Sequence, residues 1–178
     1  PEIFALRSKP RGKVHYQKKV AKVADLTAAH TATSLRLGHL PIVLGGDHSI
    51  SIGSVRGALA CAHAQGKKLG LVWIDAHYDA HTEKTTSSGN ANGMPLATLL
   101  GFGPRVFRCP PYVCSPEQVI HLGAGTSDCE PEEKTLLDKL GVRTFSAEAL
   151  RQDAIPAWIA TLALVDRVDM VWVSLDLD

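Results

Sequence analysis

Residues 69–79 read LGLVWIDAHYD. The apolar run Leu71, Val72, Trp73, Ile74 gives way within one position to two acids and a histidine. A run this apolar is what a strand buried on both faces of a parallel sheet requires. Side chains two apart on an extended chain point the same way. Asp75, His77 and Asp79 therefore project together, with Ala76 and Tyr78 facing elsewhere. In open α/β sheets the ligand crevice lies beyond the carboxyl ends of the strands. Two carboxylates and an imidazole gathered there repel or lose hydration unless a counter-charge sits among them. A divalent ion is the simplest counter-charge, and carboxylate plus imidazole suits manganese, iron, zinc or cobalt.

Taken alone, D-x-H-x-D reads equally well as a polar loop after a strand. Two other stretches repeat the pattern. Pro41 to His48, PIVLGGDH, is an apolar strand pattern ending in two glycines, an acid and a histidine. Gly45 and Gly46 let the backbone turn sharply enough for His48 to face back over the sheet edge. Met170 to Asp178, MVWVSLDLD, ends in Asp176 and Asp178, again two apart. Three strands ending in ligand-type residues point to one metal cluster of His48, Asp75, His77, Asp79, Asp176 and Asp178.

At these residues the chain resembles the arginase family, the ureohydrolases. G-G-D-H-S at 45–49, D-A-H-x-D at 75–79 and S-x-D-x-D at 174–178 are similar to its three signature motifs. SGNANGMPL at 88–96 is similar to the S-G-N-x-H-G-x-P segment of the arginase branch. The resemblance runs from about residue 35 to the last residue. It implies a three-layer α/β/α fold with a parallel sheet, incomplete at both ends. Family members continue with further strands and a glutamate that grips the guanidinium group, so the chain is expected to be an internal fragment of a longer enzyme. The implied reaction is metal-dependent hydrolysis of a guanidino group, L-arginine to L-ornithine and urea, through a hydroxide bridging two manganese ions per subunit; other divalent metals are possible.

Carried over residue by residue, the resemblance gives the first ion His48, Asp75, Asp79 and Asp176, and the second Asp75, His77, Asp176 and Asp178. Asp75 and Asp176 bridge, Asp79 also accepts a hydrogen bond from the hydroxide, and Asp47 orients a ligand. Ser88 and Asn90 match residues that hold the substrate's α-carboxylate, and His81 is a further donor. Asp128 and Glu130 fall where the family binds the α-amino group; acids favoured at a helix start explain them equally well. Asn92 stands where the family has a proton-shuttling histidine, and an amide takes up no proton near neutral pH. His81 then substitutes, or the protein is slow. Agmatinase, guanidinobutyrase or a catalytically weak homologue are the alternatives. The expected partner is a small guanidino substrate, and the expected assembly a homo-oligomer, trimer or hexamer.

The remaining composition is ordinary for a globular protein: 178 residues, 45% apolar and 21% charged. This is enough for a single domain with a sizeable core, spanning 1–178. The net charge of +1 favours neither nucleic acid nor an anionic membrane. No apolar run reaches ~18 residues and no signal-peptide pattern is present, from which a cytoplasmic location is expected. Cys61, Cys109, Cys114 and Cys129 lack metal spacing and are expected as free thiols.

Residues 1–12 read as an irregular lead-in. Val14 to Leu37 is helical, with Val20, Val23, Thr27, Thr31 and Leu35 as its inward stripe and Gly38 at its cap. Strands are predicted over 41–44, 69–75, 119–123, 142–145 and 170–176. Helices are predicted over 49–64, 94–100, from 128 to 140, and after Ser146 and Asp153 as N-caps.

Overall fold

The structure, a computed structural model, describes residues 14–125 and 129–177. The stretch 69–79 supplies its centre. Leu69–Ile74 forms strand β1, flanked by β2 (Val119–Gly123) and β4 (Met170–Leu175), with β3 (Arg143–Ser146) beyond β2. All pairs are parallel and the order is β3-β2-β1-β4. Alternation along β1 sorts its side chains between two layers. Leu69, Leu71 and Trp73 pack with Val55 and Leu59 of helix α2 (Ile50–Ala64) and Leu96 and Leu99 of α3 (Pro95–Leu99). Val72 packs on the opposite side with Ala160 and Leu164 of α6 (Ile155–Val165). The architecture is a parallel three-layer α/β/α sandwich.

Helix α1 spans Gln17–Arg36, and Gly38 follows it at φ 76°, a left-handed position that glycine adopts without strain. The predicted inward stripe is corrected at Val23, which is 51% exposed, while Ala24 and Thr31 are buried. The reason is the approach of α2. A Cβ on Gly53 would lie 2.5 Å from the Ala24 carbonyl oxygen, and one on Gly57 2.5 Å from that of Ala28. Contact this close selects the face of α1 lined by alanine rather than by valine. Gly53→Ala is therefore expected to lower stability by about 1–3 kcal/mol through overpacking against backbone, despite alanine's better helix propensity. Thermal unfolding measures it; an unchanged midpoint would show that the two helices separate freely.

The largest departure is Pro41 to Leu44. This segment was expected as a strand, yet it pairs with none, so the described residues hold four strands rather than five. Leu40, Ile42 and Leu44 are 87%, 80% and 89% exposed. A strand exists through its neighbour's hydrogen bonds, and here a groove of about 540 Å³, lined by residues 40–48 and by β4, takes the neighbour's place.

Local signals elsewhere hold. Helix α4 (Pro131–Leu140) starts with a capping box between Glu130 and Glu133 and ends at Gly141, φ 74°. Ser146 Oγ accepts the Ala149 N–H at the start of α5 (Ala147–Gln152). Asp153 Oδ1 accepts the Ile155 N–H, although the residue at the α6 cap is Ala154. Strand β3 begins one residue later than expected. All four cysteines are free thiols. Among the described residues no helix is long and apolar enough to cross a membrane.

Candidate metal centre

The register of β1 on β4 places Trp73 beside Ser174 and Ile74 beside Leu175. The next residues, Asp75 and Asp176, therefore emerge together at the carboxyl edge. His48 reaches them from the turn before α2, where its carbonyl accepts from the Ser51 N–H and hydroxyl. Its ring stacks on the Trp73 indole at 4.2 Å and 24°. His48 Nδ1 then lies 2.9 Å from Asp75 Oδ2, 3.0 Å from Asp79 Oδ2 and 3.2 Å from Asp176 Oδ2. Its other nitrogen, Nε2, is 2.9 Å from the Ser174 hydroxyl.

One ring nitrogen carries at most one proton, and three carboxylates converge on it. Asp79 Oδ2 is buried and lies 3.0 Å from His48 Nδ1, competing with Asp75 for the one proton that this nitrogen can carry. Burial raises Asp79's pKa to about 7; the His48 hydrogen bond opposes this, and the charge of Asp75 adds to it. For His48, burial lowers the pKa, but hydrogen bonds and charge from Asp75 and Asp79 outweigh burial and bring it to about 9. Burial also works against ionisation of Asp75, whose hydrogen bonds from His48 and the His77 N–H nonetheless hold it below the usual range. The raised pKa of His48 and the lowered one of Asp75 favour an imidazolium–carboxylate pair at the sheet edge. His48, Asp75 and Asp176 each offer a donor atom, all within 4.8 Å of one another, a group able to hold a metal ion.

His77 borders this group. Its N–H donates to Asp75 Oδ1 at 2.8 Å, and its Nδ1 is 3.5 Å from the same oxygen. Asp79 turns the chain at φ 50°, in the left-handed region. Its carbonyl accepts from Leu96 and Ala97, and the following Ala80 N–H donates to Glu133 Oε1. His81 Nε2 lies 3.5 Å from Glu133 Oε2 and 3.8 Å from Glu130 Oε1. The Ser87 hydroxyl donates to Glu130 Oε1, and the exposed Ser88 accepts the Asn90 N–H on its own hydroxyl. Asn92 is exposed on the turn Ala91–Gly93, and the His81 N–H donates to Gly93, so the two meet at the same rim.

The structure thus gathers His48, Asp75, Asp79 and Asp176, with His77 beside them and His81 with Glu130 as a neighbouring pair. Asp128 and Asp178 lie outside the described residues. Asp47, expected to orient a ligand, is exposed and accepts the Ser49 N–H, so it shapes the turn that carries His48. Three participants escaped the sequence reading. Trp73 donates to Asp75 Oδ2 at 3.2 Å, Ser174 meets His48, and the buried Glu133 pins Ala80. The usable signals were an indole and a hydroxyl inside otherwise apolar strands. Glu133 gave none beyond its capping position.

Comparison with known proteins agrees with this fold. A profile described as Arginase family matches residues 5–178. Arginase from Bacillus caldovelox is 39% identical over 166 residues, covering 90% of this chain and 54% of that protein. The solved arginase from Bacillus cereus superposes with a TM-score of 0.80 at 34% identity, covering 90% of this chain and 55% of the other. That from Bacillus caldovelox superposes with a TM-score of 0.84 at 30% identity, covering 99% and 58%. The chain spans a little over half the length of these relatives. From the parallel sheet to the profile that runs through all three motifs, the chain belongs to the arginase family.

Proposed function

We propose that the whole protein hydrolyses a guanidino group and releases urea, with L-arginine as substrate and manganese as the ion held at the sheet edge. The observation that carries this reading is the convergence of three carboxylates, Asp75, Asp79 and Asp176, on the single nitrogen His48 Nδ1. The donor set fits a cation. The donor atoms of His48, Asp75 and Asp176 lie within 4.8 Å of one another, and imidazole with carboxylates suits a divalent ion. When bound, a pair of divalent ions supplies the nucleophile by lowering the pKa of water towards neutrality.

His48, Asp75, Asp79 and Asp176 would hold one ion; Asp75, His77, Asp176 and Asp178 the other. With an ion bound, Ser174 would accept the Nε2 proton of His48 and leave the Nδ1 lone pair free for the ion. Trp73 covers the ring and donates to Asp75, so the cluster is walled off from water on the core side. Ser88 and Asn90 are neutral donors suited to the substrate's carboxylate, and Asp128 and Glu130 to its amino group. Agmatine lacks that carboxylate. Urea release with manganese should therefore be much faster on arginine than on agmatine or guanidinobutyrate; a preference for agmatine would overturn the substrate, and no release from any of them the activity.

Asn92 decides the proton's route. A general acid contributes roughly 10²- to 10⁴-fold, so Asn92→His should raise turnover at least about tenfold even with a poorly placed ring. It should also add an ionisation near the imidazole pKa, about 6.5 when unperturbed. An unchanged rate and pH profile would mean that another group, His81 first, already carries the proton.

A further inference from the structure

His121 sits at the centre of the sheet, wholly buried on β2 and opposite Trp73 in the β1–β2 register. Its Nε2 lies 2.8 Å from the His77 carbonyl oxygen, and that oxygen can only accept, so Nε2 carries the proton and donates. Nδ1 is then a bare acceptor, buried and without a partner. Burying such an atom is unfavourable, and a leucine of similar size would avoid it. Among the described residues the imidazole's hydrogen bond is with the backbone of the loop between Asp75 and Asp79, and Tyr78 lies beside it with ring centroids 5.6 Å apart.

Other hydrogen bonds hold the loop on either side of that point. The Asp75 N–H is taken by the Leu122 carbonyl, and the Ala76 carbonyl by the Gly125 N–H and the Cys129 thiol. The Asp79 carbonyl is held by Leu96 and Ala97, and the Ala80 N–H by Glu133. His77 and Tyr78 lie between those two fixed ends, where the chain swings into the left-handed Asp79. We propose that His121 is a positioning residue for the metal centre. By donating to the His77 carbonyl it sets the peptide that aims the His77 imidazole and opens the Asp79 turn. This inference rests on the metal reading above and adds to it a residue that none of the three motifs contains.

The test is manganese titration of the whole protein, followed by calorimetry and by the spin-resonance signal of free ion, in three variants. His121→Leu removes the donor and keeps the volume. His121→Gln places an amide N–H about where Nε2 is, whereas His121→Asn is too short to reach the carbonyl. Loss of an outer hydrogen bond to a metal site typically lowers affinity roughly 10- to 100-fold. The Leu and Asn variants should show a loss in that range, and the Gln variant should bind within about threefold of the parent. The metal-free melting temperature of His121→Leu should be unchanged or higher, opposite in direction to its metal affinity, which a merely structural role would not produce. Activity at saturating metal should show a lower kcat with KM little changed. If His121→Leu does not fold, the Gln and Asn variants decide: retained binding with Gln and loss with Asn supports the proposal. Parent-like binding by Leu or Asn, or equal losses in Gln and Asn, overturns it. Failure of the unaltered protein to bind manganese would instead overturn the metal reading itself.

Discussion

Asparagine in place of Asp75 is expected to weaken manganese binding by more than about 100-fold, beyond what outer hydrogen-bond partners alone produce, and to take urea release down with it. Asp75 is the hub of the centre. Its Oδ2 meets His48 Nδ1 and accepts the Trp73 indole N–H, while its Oδ1 accepts the His77 N–H. The side chain is 1% exposed, so no water takes over either role. An amide keeps the shape, but its NH₂ has to face a donor whichever way it turns, leaving a buried group unsatisfied. The lost charge matters as much, because Asp75 is held ionised in the fold. Asp47→Ala is the control: that carboxylate is exposed and caps a turn. Equal losses in the two variants, read by calorimetric titration, would remove Asp75 from the centre.

The second large effect runs in opposite directions with and without metal. Asp79→Asn should weaken ion binding at least about tenfold, yet stabilise the metal-free protein above neutral pH. Asp79 binds its proton with a pKa of about 7 in the fold against 3.8 ordinarily. A raised folded pKa contributes stability that is complete below the unfolded value and is lost as pH rises through the folded one. Asparagine does not titrate, so it avoids that loss. The gap corresponds to roughly 4 kcal/mol as an upper limit, reduced because His48 also gives up a partner. Asparagine tolerates the left-handed backbone at this position, where most residues would add strain. His48, at about 9 against 6.5, reinforces the trend, its stabilisation fading between those values. Melting curves in chelator at pH 5 and pH 8.5 give the comparison. A variant less stable than the parent at the higher pH would mean that Asp79 is not under electrostatic stress.

These two residues were legible in the sequence because a strand has period two and its end faces the ligand crevice. Apolar runs 69–74 and 170–175 gave their strands, and the step from apolar to acidic gave the site. Pro41 to Leu44 failed because pairing is not a local property. Its sequence is as strand-like as β1, but a strand is defined by a neighbour that the run itself does not encode. Val23 failed for a related reason: which face of α1 turns inward was decided by two glycines on another helix. Ser174 and His121 are polar residues in apolar strands, a visible irregularity whose meaning depends on what lies across the sheet. Glu133 combines a cap with a clamp on Ala80, and only the first role has a sequence signature.

Strand β4 bears Ser174, leads directly into Asp176, and has β1 on one side, with the groove on the other. Edge strands open locally at lower free energy than central ones. Each such fraying event withdraws the hydroxyl and the carboxylate that hold His48, so the centre comes apart without the domain unfolding. An ion held by His48, Asp75 and Asp176 would tie β4 to β1 and to the turn before α2, and would have to leave before the edge could part. Amide hydrogen exchange at Asp176, whose N–H donates to the Ile74 carbonyl of β1, thus becomes a gauge of occupancy. Each tenfold rise in free manganese above its dissociation constant should slow that exchange about tenfold, as mass action requires.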